Sequence, residues 1–260
     1  MTTTIKQRLA NGELVRVLTV ASLASPKLVE IAGLAGGFHG IWIDQEHSAI
    51  PHQQLELLLM ACRASGLDAF VRVAPTDYAT VMRPMETGAS GVMVAQIRNV
   101  AEVQRVVQWA KYPPVGVRGL FLANFEAGYG TANPGQFTEQ ANRDRWLCIQ
   151  IETVEAVECA DEIAAVEGVD SLFVGPSDLS CALGVPGQAM HPKCIAALEK
   201  VSAAVKKAGK SWGVLTRSPE HGAKCRELGC QLFSLAGDLD LVQRGLQASK
   251  KLYADFFPTS

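Results

Sequence analysis

The stretch "WLCIQIETVEAVECADEIAAVEGVDSLFVGPSD", residues 146–178, changes its hydrophobic period twice. From Trp146 to Glu152 an extended chain puts Cys148, Gln150 and Glu152 on one face and Leu147, Ile149 and Ile151 on the other, because successive strand side chains point to opposite sides. Residues 153–166 then read as helix, and "DSLFVG" (170–175) returns to a short apolar run of strand type. Strand, helix and strand in that order make a parallel crossover unit.

The same alternation fills the chain on both sides. Upstream, "LVRVLTVA" (14–21) precedes a helix from Pro26, "GIWID" (40–44) precedes one over 51–65, "AFVRVA" (69–74) one over 77–88, and "GVMVA" (91–95) one over 99–111. Downstream lie a helix over 192–209, "SWGVLTR" (211–217) with a helix over 219–229, and "QLFSLAGD" (231–238) with a last helix from about Leu239. Eight such units in 260 residues, with no dinucleotide fingerprint, predict an α/β fold: one (β/α)₈ TIM barrel, which needs roughly 250 residues. No linker divides it, so residues 1–260 are read as a single domain. The glycines of "GLAGGFHG" (33–40) come before a strand instead of after one, the wrong context for phosphate binding, and read as helix-ending turns. Residues 112–143 form one long irregular connection, expected to be a lid or a subunit contact.

Composition narrows the function. Lys and Arg total 24 against 26 Asp and Glu, a net charge of −2, and no basic block or zinc-finger spacing occurs, so no nucleic-acid partner is expected. The N-terminal stretch lacks a signal-peptide core and no run reaches the ~18 apolar residues of a membrane helix; a cytoplasmic protein without membrane association is expected. Seven cysteines are scattered without a CxxC pair, which fits reduced thiols.

In a barrel, chemistry gathers where the loops converge at the C-terminal strand ends. Four strands carry polar residues there: Asp44 to His47, Arg72, Gln150 with Glu152, and Asp178 of "GPSD". A glutamate pointing into the mouth needs a cation or a proton, although a nearby Lys or Arg would satisfy it equally. Glu152 and Asp178 are two hard carboxylates on neighbouring strands that suit Mg²⁺ or Mn²⁺, with Co²⁺ or Zn²⁺ as further options. Arg72, among apolar neighbours, requires a carboxylate from Glu152, Glu86 or a substrate. His47 is either a satisfied core histidine or an imidazole placed for proton transfer. Glu86, which closes the third helix of the alternation, either orients that imidazole or lies on the surface.

"WIDQEH" (42–47), "VRV" (71–73), "YPPVGVRG" (112–119), "IQIET" (149–153), "EGVDSLFVGPSDLS" (167–180) and "HP" (191–192) together resemble the HpcH/HpaI class II aldolases, in order and at compatible spacing over about residues 10–250. The resemblance implies a barrel of the phosphoenolpyruvate/pyruvate type and a homohexamer with an exchanged last helix. It also implies Glu152 and Asp178 as metal ligands, His47 as acid/base group with Glu86 as partner, and Arg72 as stabiliser of an enolate. Gln150, Gly175, Pro176 and Ser177, with Arg72 and Asp178, would hold a keto acid. The family pattern has aspartate where this chain has Glu86, and P-x-V where it has "AQIRN" (95–99).

The expected reaction is retro-aldol cleavage of a 4-hydroxy-2-oxo acid to pyruvate, or a hydroxypyruvate-like donor, and an aldehyde. An acyl-CoA lyase of the citrate-lyase type and a non-catalytic keto-acid-binding barrel are the alternatives. The lysines all fall in expected helices or flanking loops, which disfavours Schiff-base chemistry.

Overall fold

The computed structural model describes residues 3–257. It begins with α1 (Ile5–Ala10), whose N-cap Thr4 exchanges hydrogen bonds with Gln7 in a capping box. Eight strands follow: β1 (Val15–Val20), β2 (Gly40–Asp44), β3 (Asp68–Val73), β4 (Gly91–Val94), β5 (Trp146–Ile151), β6 (Ser171–Val174), β7 (Ser211–Leu215) and β8 (Leu232–Gly237). They pair in parallel in sequence order and close into a barrel, the architecture the alternation predicts. Every residue of β2, β4, β5 and β6 is buried, as expected of strands covered on both faces.

Between the strands run α2 (Pro26–Ala35), α3 (His52–Ala64), α4 (Tyr78–Thr87), α5 (Val100–Ala110), α6 (Pro134–Asp144), α7 (Val154–Glu158), α8 (Ala160–Ala165), α9 (Pro176–Ala182), α10 (Pro192–Lys207) and α11 (Pro219–Glu227), with α12 (Asp238–Leu252) last. Gly36, at φ 70°, ends α2 in the left-handed region, so the glycine-rich stretch is a helix stop as read. Outward strand residues such as Ile41, Val71, Val92, Ile149 and Leu172 pack under the helices in one continuous core. Inward residues form a second core: Trp42, Phe70, Trp146 and Phe173 stack inside the barrel, with Trp42 and Phe173 centroids 5.3 Å apart. Ile5 and Leu9 of α1 join that inner core, where full burial of each is worth about 1.5–3 kcal/mol. The barrel interior is therefore filled, and only its far mouth is left for chemistry.

Two expectations change. Residues 153–166 are two short helices that break at Cys159. Residues 112–143, expected to be irregular, contain most of α6, whose Phe137 and Ala141 pack on Tyr112 in a small core of their own. That stretch is ordered by buried charge: Arg118 and Arg145 both pair with Glu126. The last helix, α12, turns its apolar residues outward. Leu239, Val242 and Leu246 are 45%, 45% and 59% exposed, so the helix does not seal its own barrel. A cavity of about 560 Å³, lined by Phe233, Leu235, Arg226 and Arg244 among others, lies open beside it. Among the described residues, no helix is long and apolar enough to cross a membrane.

Candidate active site

Register places the first pair. Asp44 at the end of β2 lies opposite Arg72 of β3, and both point into the mouth because Trp42 and Phe70, two residues earlier, fill the interior. The guanidinium donates Nε–H to Asp44 Oδ1 at 2.9 Å and Nη2–H to Oδ2 at 2.6 Å, a bidentate fork. A third nitrogen, Nη1, sits 3.1 Å from Glu46 Oε2. The face of Trp42 lies 4.8 Å beneath the guanidinium carbon. Arg72 is thus fixed by Asp44 and Glu46, and of the three partners expected for it neither protein carboxylate, Glu152 or Glu86, is the one it bonds.

Glu152 follows β5 and is 1% exposed. Its Oε1 accepts two hydrogen bonds from one residue, Gln96: the backbone N–H at 2.8 Å and the side-chain Nε2–H at 3.0 Å. Its Oε2 accepts a bond from Gln150 Nε2. Gly175 faces this pair, and a Cβ there would collide with Glu152 Oε2 and Gln150 Nε2, so the carboxylate and amide occupy space that only glycine leaves open. Burial pushes the Glu152 carboxyl up to about 7. The Gln96 bond opposes that rise, while the nearby Glu46 and Asp178 charges reinforce it. Burial also raises Glu46, against the pull of Arg72.

Asp178 is in the first turn of α9 and lines, with Glu152, Gln96, Arg98 and Glu155, a cavity of about 340 Å³. Around the mouth the Arg72 guanidinium faces four carboxylates, Asp44, Glu46, Glu152 and Asp178, while Arg98 at the rim pairs with Glu155 at 3.4 Å. Such an excess of negative charge calls for protons or a cation. Glu152 and Asp178 offer hard oxygen donors, and Gln150 Oε1 is buried without a hydrogen-bond partner among the described residues, an acceptor that a bound water or hydroxyl can meet. No cluster of three or more His, Cys, Asp or Glu side chains suited to a metal occurs among the described residues. A divalent ion would complete its shell with water and ligand oxygens, the habit of Mg²⁺. The residues present fit such an ion.

The remaining expected residues divide. Gly175 and Pro176 are buried at the start of α9 and Ser177 is exposed beside Asp178, so these stand with Glu152 and Asp178. His47 is exposed on the loop after β2, its Nε2 3.8 Å from Glu46 Oε2. Glu86 is not brought to it. It lies in the last turn of α4, at the opposite end of the barrel, where its neighbours are Arg118, Glu126 and Arg83. A helix returning from a strand end necessarily carries its C-terminus to the far face, so within this chain the carboxylate beside His47 is Glu46.

Asp44, Glu46 and Gln96 were not assigned roles from the sequence. Alternation along "GIWID" places Asp44 inward with Trp42 and was sufficient to find it. Nothing in "AQIRN" announces that Gln96 takes φ 56°, a left-handed backbone that costs a non-glycine residue about 1–2 kcal/mol.

Comparison with known proteins gives the family. Residues 16–244 match the HpcH/HpaI aldolase/citrate lyase family. A hydroxypyruvate/pyruvate aldolase of Pseudomonas aeruginosa is 32% identical over 242 residues, 93% of this chain and 89% of the relative. A 5-keto-4-deoxy-D-glucarate aldolase of Salmonella paratyphi C is 34% identical over 237 residues, 91% and 90% of the two chains. The crystal structure of an HpcH/HpaI aldolase from Desulfitobacterium hafniense DCB-2 superposes with a TM-score of 0.91 at 30% identity, covering 98% of each chain. With most of its length matched in sequence and nearly all of it in structure, this chain belongs to the HpcH/HpaI aldolase/citrate lyase family.

Proposed function

We propose that the protein cleaves a 4-hydroxy-2-oxo acid reversibly to pyruvate, or a hydroxypyruvate-like donor, and an aldehyde, with a divalent metal held by Glu152 and Asp178. The observation that carries this reading is the surplus of carboxylates around one fixed guanidinium at the C-terminal mouth of the barrel. Aldolases named for pyruvate and for a 5-keto-4-deoxy sugar acid among the relatives support the reaction class. The all-oxygen donor pair favours Mg²⁺ or Mn²⁺ over Co²⁺ or Zn²⁺. When bound, the ion supplies Lewis acidity to the oxygens of the 2-oxo acid.

The chain's own groups do the rest. Arg72, held by Asp44 and Glu46 before substrate arrives, presents positive charge where an enolate oxygen develops, at no cost in reorganisation. His47, on an exposed loop, takes the proton of the C4 hydroxyl as the C3–C4 bond breaks into aldehyde and enolate, gives a proton to C3 so that the enolate becomes pyruvate, and reverses both transfers in the aldol direction. Gln150 lines the keto-acid site, and the backbone of Gly175, Pro176 and Ser177 holds the donor carboxylate. Glu86 has no part in this scheme.

The uncovered apolar face of α12 beside an open cavity supports a homo-oligomer in which the helix covers a neighbouring barrel; a homohexamer in the cytoplasm is the form proposed. Citrate lyases share the family description, so the deciding assay offers both chemistries. A panel of 4-hydroxy-2-oxo acids should release pyruvate with Mg²⁺ or Mn²⁺ and stop with chelator, and Glu152→Ala should abolish turnover in a folded protein. Acyl-CoA cleavage without pyruvate release would move the protein to the lyase branch, and metal-independent turnover would refute the ligand assignment.

A further inference from the structure

Two described non-glycine residues have positive φ, and one of them, Gln96, lies in the cavity shared by Glu152 and Asp178. Its position is set from both sides. Ala95 N–H still bonds Val73 O at 3.0 Å, extending the β3–β4 ladder by one residue. Ile97 is fully buried and its carbonyl accepts the Thr153 hydroxyl at 3.2 Å. Between these anchors the backbone reverses at Gln96. The next N–H therefore leaves the ladder and reaches across to Glu152 Oε1, and the side-chain amide of the same residue closes on the same oxygen.

A left-handed conformation at a residue other than glycine persists only where its surroundings over-determine it, and such positions concentrate at functional sites. Here it converts the end of one strand into a two-donor clamp on the carboxylate of the next strand. Gln150 secures the second oxygen, so the plane of the Glu152 carboxylate is fixed by three donors. A metal-binding carboxylate with three free side-chain torsions would otherwise be ordered at the moment of binding, against the affinity.

We propose that Gln96 is a positioning residue for the metal site: it holds Glu152 in the orientation that accepts the divalent ion, without touching substrate itself. The inference rests on the assignment of Glu152 as a ligand made above. It goes beyond that assignment by placing part of the ion's affinity in a residue that supplies no ligand atom.

The test is Mn²⁺ titration of the substrate-free protein followed by electron paramagnetic resonance, on wild type, Gln96→Met, Gln96→Gly and Glu152→Gln. Methionine has similar reach but no donor. Glycine keeps the backbone N–H and adopts the positive φ freely, so it carries the test should Gln96→Met fail to fold. Both Gln96 variants should bind Mn²⁺ at least about 10-fold more weakly, within the ~10–100-fold range for partners that orient a ligand. Turnover at saturating Mn²⁺ should stay within about threefold of wild type, a split between affinity and rate that a loss of folding would not produce. Unchanged Mn²⁺ affinity in both Gln96 variants, with binding lost in Glu152→Gln, would overturn the role of Gln96 and leave the metal site standing. Unchanged affinity in Glu152→Gln would overturn the ligand assignment and the inference together.

Discussion

Replacing Glu152 by glutamine should make the metal-free protein more stable at alkaline pH. The carboxyl is raised to about 7 in the fold, against the ordinary value of 4.5 that the unfolded chain keeps. Between these values the native state holds a proton that the unfolded chain has released, so ν_N exceeds ν_U and unfolding free energy falls as pH rises. The contribution is fully present below about pH 4 and is gone above about pH 8. Some 2.5 pK units at 1.36 kcal/mol each make the loss about 3 kcal/mol.

Glutamine cannot ionise, so Glu152→Gln should match wild type near pH 4.5 and exceed it by about 3 kcal/mol at pH 8. The neighbours can accommodate the amide. Gln96 still donates to the new Oε1, and Gln150, whose own Oε1 lacks a partner, accepts from the new Nε2 after an amide flip. Urea midpoints measured in chelator, at one protein concentration, across pH 4.5–8 provide the assay. Mn²⁺ at 100 times its dissociation constant should return about 2.7 kcal/mol to wild type and nothing to the variant. Parallel pH profiles for the two proteins would refute the claim that Glu152 carries a buried, uncompensated charge.

Arg72→Lys keeps a positive charge but loses the bidentate fork on Asp44, and should lower kcat by about 100-fold, the scale of one lost oxyanion donor; steady-state pyruvate release measures it. His47→Asn should cost about 10²–10⁴-fold in kcat while the exposed position leaves the urea midpoint within about 0.5 kcal/mol of wild type. Leu246→Glu, on the bare face of α12, should shift the assembly toward single chains in sedimentation analysis, because a charge placed in an apolar interface is left without a partner.

Much of this architecture was legible because a parallel sheet buried on both faces leaves short apolar runs, and here helical patterns separate them at regular intervals. "GIWID", "GVMVA" and "WLCIQI" are such runs, and their spacing alone counted the barrel. Where the fold is held by charge the sequence is mute. Arg118 and Arg145 converge on Glu126 through a loop, and α6 reads as polar between them because its apolar face is only Phe137 and Ala141. The family resemblance pairs Glu86 with His47, whereas the return direction of α4 carries Glu86 to the other end of the barrel. Strand alternation found Glu152 and Gln150; the same rule applied to "GIWID" places Asp44, and with it the partner of Arg72.

The site also accounts for residues that a stability argument alone would remove. Asp44 and Arg72 satisfy one another and could have closed the barrel mouth as a neutral pair. The three further carboxylates crowd one another: Glu46 and Glu152 are both raised by burial, and Asp178 adds like charge to both from the first turn of α9. Gln96 adds a strained backbone. These costs fall on one cavity at the end of the barrel, and a single divalent ion would offset two of the three surplus negative charges. A cluster whose carboxylates repel one another when empty binds its ion more tightly for that reason, since relief of repulsion adds to the affinity.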